Sequence, residues 1–265
     1  MLRQFVERKV RRQIVHRSLA ISIAAFVAIL VLWYTESLSN FVHPLRMFIN
    51  NIHGGLSAFA IQITGGAVHS FTLSPVGSYV IEYSGGADAL VMSAGYLGSA
   101  LLGAIMFFLV NRAPHLVRGM AIITGVFTVG FLGFFIRPDA TGDWISMFIC
   151  IGFGLALIFL GWKGKGDINQ LLSRRSVTQI VMTIASLMTA CHILLDLPTI
   201  LNSPAMVDGA ITNPIAYFSE NVIPALSVPV IAISWSAIAI AMLAAAFYFS
   251  ISRQLKQIPK NDDIV

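Results

Sequence analysis

Charge is what this chain has least of. Asp, Glu, Lys and Arg make up 11% of its 265 residues, and 57% are hydrophobic. A soluble domain carries about 25% charged residues, so the shortage argues against one. It argues equally against a disordered chain, which stays unfolded because it is polar and charged. A mean hydropathy of +0.81 places the chain among polytopic membrane proteins. Cysteine is nearly absent too. Cys150 and Cys191 lie inside apolar stretches, which excludes a disulfide framework and predicts two thiols packed as small apolar residues. There is no internal repeat, no low-complexity run and no polar stretch long enough for a separate soluble domain.

The charge that is present is concentrated. Residues 1–17 carry Arg3, Arg8, Lys9, Arg11, Arg12 and Arg17 against the single acid Glu7, directly before the apolar stretch Ser18–Tyr34. A secretory signal has a shorter apolar core and a small-residue cleavage site, and neither is evident. The pattern predicts a retained first helix with a cytoplasmic N-terminus. Phe5, Val6, Val10, Ile14 and Val15 are interleaved with those charges, so an interfacial basic helix is the alternative. The formal net charge of +5 sits at helix flanks, where topology explains it. The expected partner is therefore the lipid bilayer and not nucleic acid.

A spanning helix needs about 20 mainly apolar residues. Seven stretches qualify, at roughly 18–34, 45–63, 88–111, 117–136, 143–162, 176–197 and 222–249. Residues 67–83 differ. Ala67–Ser74 and Tyr79–Tyr83 are rich in β-branched and aromatic residues, and Ser74-Pro75-Val76-Gly77-Ser78 separates them, which predicts a β-hairpin. The expected fold is an all-α polytopic membrane protein of six to seven hydrophobic helices with a small β-hairpin insert at about 67–83. Its organisation is a basic cytoplasmic segment (1–17), one membrane domain (18–252) and a cytoplasmic tail (253–265). Basic clusters at the N-terminus, Arg112/Arg118, Lys163–Arg175 and Arg253–Lys260 predict both termini in the cytoplasm. That assignment leaves one stretch not fully spanning. The stretch 45–63 is the better candidate, since it holds Arg46, Asn50, Asn51, His53, Ser57 and Gln62. Pro224 and Pro229 are expected to kink the last helix.

Several motifs fall in order between Pro44 and Gly103. They are Pro44-Leu45-Arg46-Met47-Phe48, then Ile52-His53-Gly54-Gly55-Leu56-Ser57, then Thr64-Gly65-Gly66, the strand pair, and Ala94-Gly95-Tyr96-Leu97-Gly98-Ser99. On these motifs the chain resembles, from Phe41 to about Trp235, the site-2-protease-type intramembrane zinc metallopeptidases, in particular their bacterial B-like branch. The resemblance implies a bacterial inner-membrane protein. It also implies a zinc site in which His53 matches the first ligand of H-E-x-x-H and Asp208, in Val207-Asp208-Gly209, the third. The chain departs from that pattern twice, since the general-base position is Gly54 and the second ligand position is Ser57. Glycine cannot take a proton from metal-bound water. Serine is a poor neutral ligand beside imidazole or carboxylate.

His192 and Asp196, four apart on an expected helix, are candidate replacement ligands that would complete a set with His53 and Asp208. The simpler expectation is that they hydrogen-bond each other and hold helices together. His43, His69 and His115 read as solvated or interfacial. Gly95, Gly98 and Gly103 read as a small-residue packing face, and Gly54 and Gly55 as an opening beside His53. Three functions remain. The first is a non-hydrolytic relative that binds transmembrane segments of other proteins in the former substrate cleft. The second is an active zinc protease with relocated ligands. The third is a transporter-like bundle whose resemblance misleads. No catalytic residue is assigned, and zinc is the one cofactor the resemblance implies.

Overall fold

A computed structural model describes residues 2–35, 39–73, 79–113, 115–135, 141–162, 171–207 and 210–256. The basic segment and the first apolar stretch form one helix, α1 (Leu2–Tyr34). Helix α2 (Ser39–Ile63) follows, and then the predicted hairpin, β1 (Ala67–Leu73) against β2 (Tyr79–Ser84). The strands are antiparallel, with Ala67 opposite Ser84 and Leu73 opposite Tyr79; the register shifts between Val68 and Ser70. The turn predicted at Ser74–Ser78 lies outside the described residues. Next come α3 (Asp88–Arg112), α4 (Val117–Phe135), α5 (Thr141–Trp162) and α6 (Leu171–Ala190).

Two helices, α3 and Val228–Leu255 (α10, below), are long and apolar enough to cross a membrane. Shorter apolar helices occupy Ser18–Tyr34, Val117–Phe131, Met147–Trp162 and Val177–Ala190. The architecture is an all-α membrane bundle carrying a hairpin.

Helix α2 is its axis. Met47, Phe48, Ile49, Ile52 and Ile61 have no exposed surface, and Ala58 is 1% exposed. A helix apolar and buried on several faces lies inside a bundle. That position brings Asn51, His53 and Ser57 into the interior with it. Elsewhere the helices meet at small residues. A Cβ at Gly103 of α3 would lie 2.3 Å from the Ala190 nitrogen of α6, and one at Gly125 of α4 would lie 2.4 Å from the Gly154 carbonyl of α5. Lipid offers apolar side chains no reason to leave it, so close van der Waals contact at such residues drives membrane helices together.

The stretch 176–197 is not one helix, contrary to expectation. Helix α6 stops at Ala190, Cys191 is a turn, and two short helices follow, α7 (His192–Leu195) and α8 (Leu197–Asn202). Pro198 accounts for the second interruption, between α7 and α8: it has no N–H for the Leu194 carbonyl, and its ring crowds that group. Nor does 222–249 form one element. A two-residue ribbon, β3 (Met206–Val207) with β4 (Ala210–Ile211), leads into α9 (Pro214–Asn221), and α10 (Val228–Leu255) starts only at Val228. Neither proline kinks α10. Pro224 lies in the turn before it, and Pro229 stands in its first turn, where a missing N–H costs nothing.

Candidate functional site

The interruption between α7 and α8 frees backbone carbonyls within the bundle, and α1 supplies their partners. Trp33 donates its indole N–H to the Leu195 carbonyl at 2.9 Å, and the Tyr34 hydroxyl reaches the Leu194 carbonyl at 3.3 Å. Irregular backbone at membrane depth persists only where protein satisfies it in this way. Arg46 of α2 locks the arrangement. Its guanidinium lies 4.5 Å from the centre of the Trp33 ring and donates to the Trp33 carbonyl at 3.0 Å. The broken segment is therefore held in one position against α1 and α2.

That position presents His192 to His53. The two Nδ1 atoms are 3.0 Å apart, with His53 fully buried and His192 3% exposed. Such a contact needs Nδ1–H on one ring and a bare Nδ1 on the other, so at least one ring is neutral. Tyr96 completes the group. Its ring stands edge-on to His53 at 4.2 Å between centres and lies 5.4 Å from His192. Its hydroxyl donates to Oδ2 of Asp196 at 2.7 Å. His192 and Asp196 therefore do not bond each other through their side chains, as a continuous helix would allow. The broken segment sends one to His53 and the other to Tyr96.

Tyr96 lies on a π-helical turn of α3, Ala94–Gly98, the kind of local widening often found at functional sites. Beside it, a Cβ at Gly95 would lie 2.1 Å from His53 Nε2. Gly95 is thus the reason the imidazole can lie directly against the backbone of α3. The predicted small-residue face divides accordingly, Gly95 serving α2 and Gly103 serving α6. Gly55 opens no space for His53; a Cβ there would meet Phe127 of α4 at 2.7 Å.

Ser57 lines a small space covered by the hairpin and β4. Ile81, Tyr83, Val91, Met92, Ile211 and Pro214 line it, and it offers about 20 Å³, room for about one water. The Tyr83 hydroxyl pins the cover to α3 by donating to Asp88 at 2.9 Å. Burial first, and then that bond, raise the Tyr83 pKa above the ordinary tyrosine range. Tyr217, alongside, is raised by burial and then by the Asp88 charge.

Do these residues suit zinc? Catalytic zinc uses three protein ligands with bonds of about 2.0–2.1 Å to nitrogen, which sets two bound nitrogens about 3.3 Å apart. The His53–His192 separation of 3.0 Å is close to that span, but two imidazoles leave the set one ligand short. Asp196 is engaged by Tyr96, and no group of three His, Cys, Asp or Glu poised for a metal occurs among the described residues. Asp208 lies outside them. As placed, the described donors do not make a catalytic zinc site, and no chemical step is drawn through one. His69 is exposed and bonds Ser84, and His115 is exposed.

The family model for M50B-like peptidases matches residues 22–246. The chain belongs to that family. The match spans α1 to α10 and includes His53, Tyr96, His192 and Asp196. No curated protein and no solved structure matches. Within the matched region of this M50B-like protein, Gly54 follows His53 and Ser57 stands four residues after it. A zincin motif needs a glutamate and a second histidine at those places.

Sequence reasoning assigned Tyr96 no role, although it is the residue that joins both imidazoles to Asp196. The available signal was a lone phenol hydroxyl inside a run of small residues on a membrane helix, since a buried tyrosine hydroxyl usually finds a partner. Trp33 was missed as a support because its target, the Leu195 carbonyl, is free only where the helix is interrupted.

Proposed function

We propose that this M50B-like protein is a non-hydrolytic member of its family that binds transmembrane segments of other proteins. It does so in a bacterial inner membrane with both termini in the cytoplasm. The observation that carries this reading is the state of His53. Its neighbour at the base position is Gly54, and its Nδ1 is engaged by Nδ1 of His192. The 20 Å³ beside Ser57 has no room for a peptide of either kind, substrate or partner, while the hairpin and β4 lie over it. A partner segment enters only where the hairpin and β4 part.

The convergence of His53 and His192 is also what a relocated zinc site would use, with Asp208 or Asp196 as the third ligand. Zinc retention distinguishes the two readings. The transporter reading rested on the resemblance being misleading, and the family match removes that ground.

Photo-crosslinkers at Met92 and Ile211, beside the cover, test the proposal in native membranes. The expected products are intact membrane proteins joined to the chain, unchanged by chelator. Cleaved fragments that disappear on chelation, or no membrane-protein adduct from either position, would contradict it.

A further inference from the structure

On the lipid-facing side, α3 and α10 leave a groove of about 820 Å³ between them. Leu101, Ile105 and Phe108 form one wall, and Met242, Ala245 and Phe249 the other. At one end the groove stops being apolar. Arg112 and Arg253, each at the C-terminal end of its helix, line it together. Both guanidiniums belong to exposed residues, and neither forms a salt bridge among the described residues.

The dimensions are as informative as the charge. Leu101 to Arg112 and Met242 to Arg253 are each eleven residue steps, and both run from the apolar end to the basic end. At 1.5 Å rise per residue that is about 16 Å, close to half of a hydrocarbon core of about 30 Å. The two helices thus run side by side in the same direction and build a trough one leaflet deep with two positive charges at its mouth. A polypeptide helix crossing the membrane would need an apolar face about twice that long and gains nothing from paired arginines at one end. The π-helical turn at Tyr248–Ser252 borders the mouth, and the Gln254 amide beside it bonds back to the Ser250 carbonyl. That leaves the Arg253 side chain facing the groove.

We infer that this groove holds one anionic phospholipid, with its phosphate between Arg112 and Arg253 and its acyl chains along the Leu101–Phe108 and Met242–Phe249 walls. The site is separate from the His53 group and does not depend on the proposed function.

Native mass spectrometry of the full-length chain in detergent, titrated with phosphatidylglycerol or with phosphatidylcholine of the same acyl chains, tests the inference. The expected result is a single saturable phosphatidylglycerol in preference to phosphatidylcholine. Each basic residue near an anionic headgroup is worth about fivefold, so R112Q/R253Q should lower phosphatidylglycerol affinity about 25-fold and abolish the preference. A245W, which fills the trough and leaves both charges, should lower it by tenfold or more. Equal binding of the two lipids by the unmodified chain, or a preference that survives R112Q/R253Q, overturns the inference. So does a photo-crosslinker at Ile105 that captures polypeptide and no lipid.

Discussion

His53 and His192 meet through their Nδ1 atoms at 3.0 Å, although 139 residues separate them in the chain. The contact exists because α2 runs through the middle of the bundle and because α6 ends one residue short of His192. If the pair is structural, its two members are coupled in stability. Single changes of His53 or His192 to Ala should each destabilise the protein, and the double change should cost less than their sum. The coupling expected for one neutral hydrogen bond is about 0.5–1.5 kcal/mol. Reversible unfolding in mild detergent would measure it, and simple additivity would show that the bond contributes nothing.

Gly95 is required by His53. Gly95→Ala places a methyl 2.1 Å from His53 Nε2, so the ring must move and the contact with His192 is lost. We expect a loss of about 1–3 kcal/mol, the usual cost of overpacking. His53→Ser in the same chain should recover most of it. Gly95→Ala that is harmless alone would show that the imidazole does not sit against α3.

Much of the bundle was legible from apolar run length alone. The helices at 88–112 and 117–135 and the hairpin strands match expectation to within a residue or two. What escaped lies between Cys191 and Val228. Apolar runs say how much chain prefers lipid, not where the hydrogen-bond ladder stops. Pro198 ends the ladder between α7 and α8, but the earlier stop at Ala190 has no such marker in the sequence. The site was half legible. His53 was a candidate from its place in the H-E-x-x-H frame and His192 as a replacement ligand paired with Asp196; the structure shows the two imidazoles in contact with each other. Their approach was expected only as part of a ligand set, and the broken helix turns His192 toward His53 and Asp196 toward Tyr96.

Trp33 supports that break from α1. Trp33→Phe keeps the ring under Arg46 but removes the donor to the Leu195 carbonyl. The cost should be about 1–3 kcal/mol, that of a buried acceptor left unsatisfied, and hydrogen exchange should rise across His192–Asn202. Unchanged exchange in that segment would mean that the carbonyl has another partner.

The hairpin cover should depend on pH only in the alkaline range. Burial and the bond to Asp88 favour the neutral Tyr83 phenol, so its folded-state pKa lies above the ordinary value of 10. The associated stability is fully present below pH 10 and is lost as the pH rises toward and through the folded value. Protease protection of residues 67–84 should therefore be flat from neutral pH up to about 10 and fall above it. Tyr83→Phe should remove most of that alkaline loss. A fall already near neutrality would contradict the assignment.

The account stands or falls on what His53 holds. The zinc content of the purified, unmodified chain, measured by elemental analysis beside Gly54→Glu/Ser57→His and His53→Ala, tests this most directly. We predict well under one zinc per chain in the unmodified protein, no change on His53→Ala, and a clear rise in the double variant, which restores the base and ligand types of a zincin motif. One zinc per unmodified chain, lost on His53→Ala, would contradict the account and establish a metal site with relocated ligands.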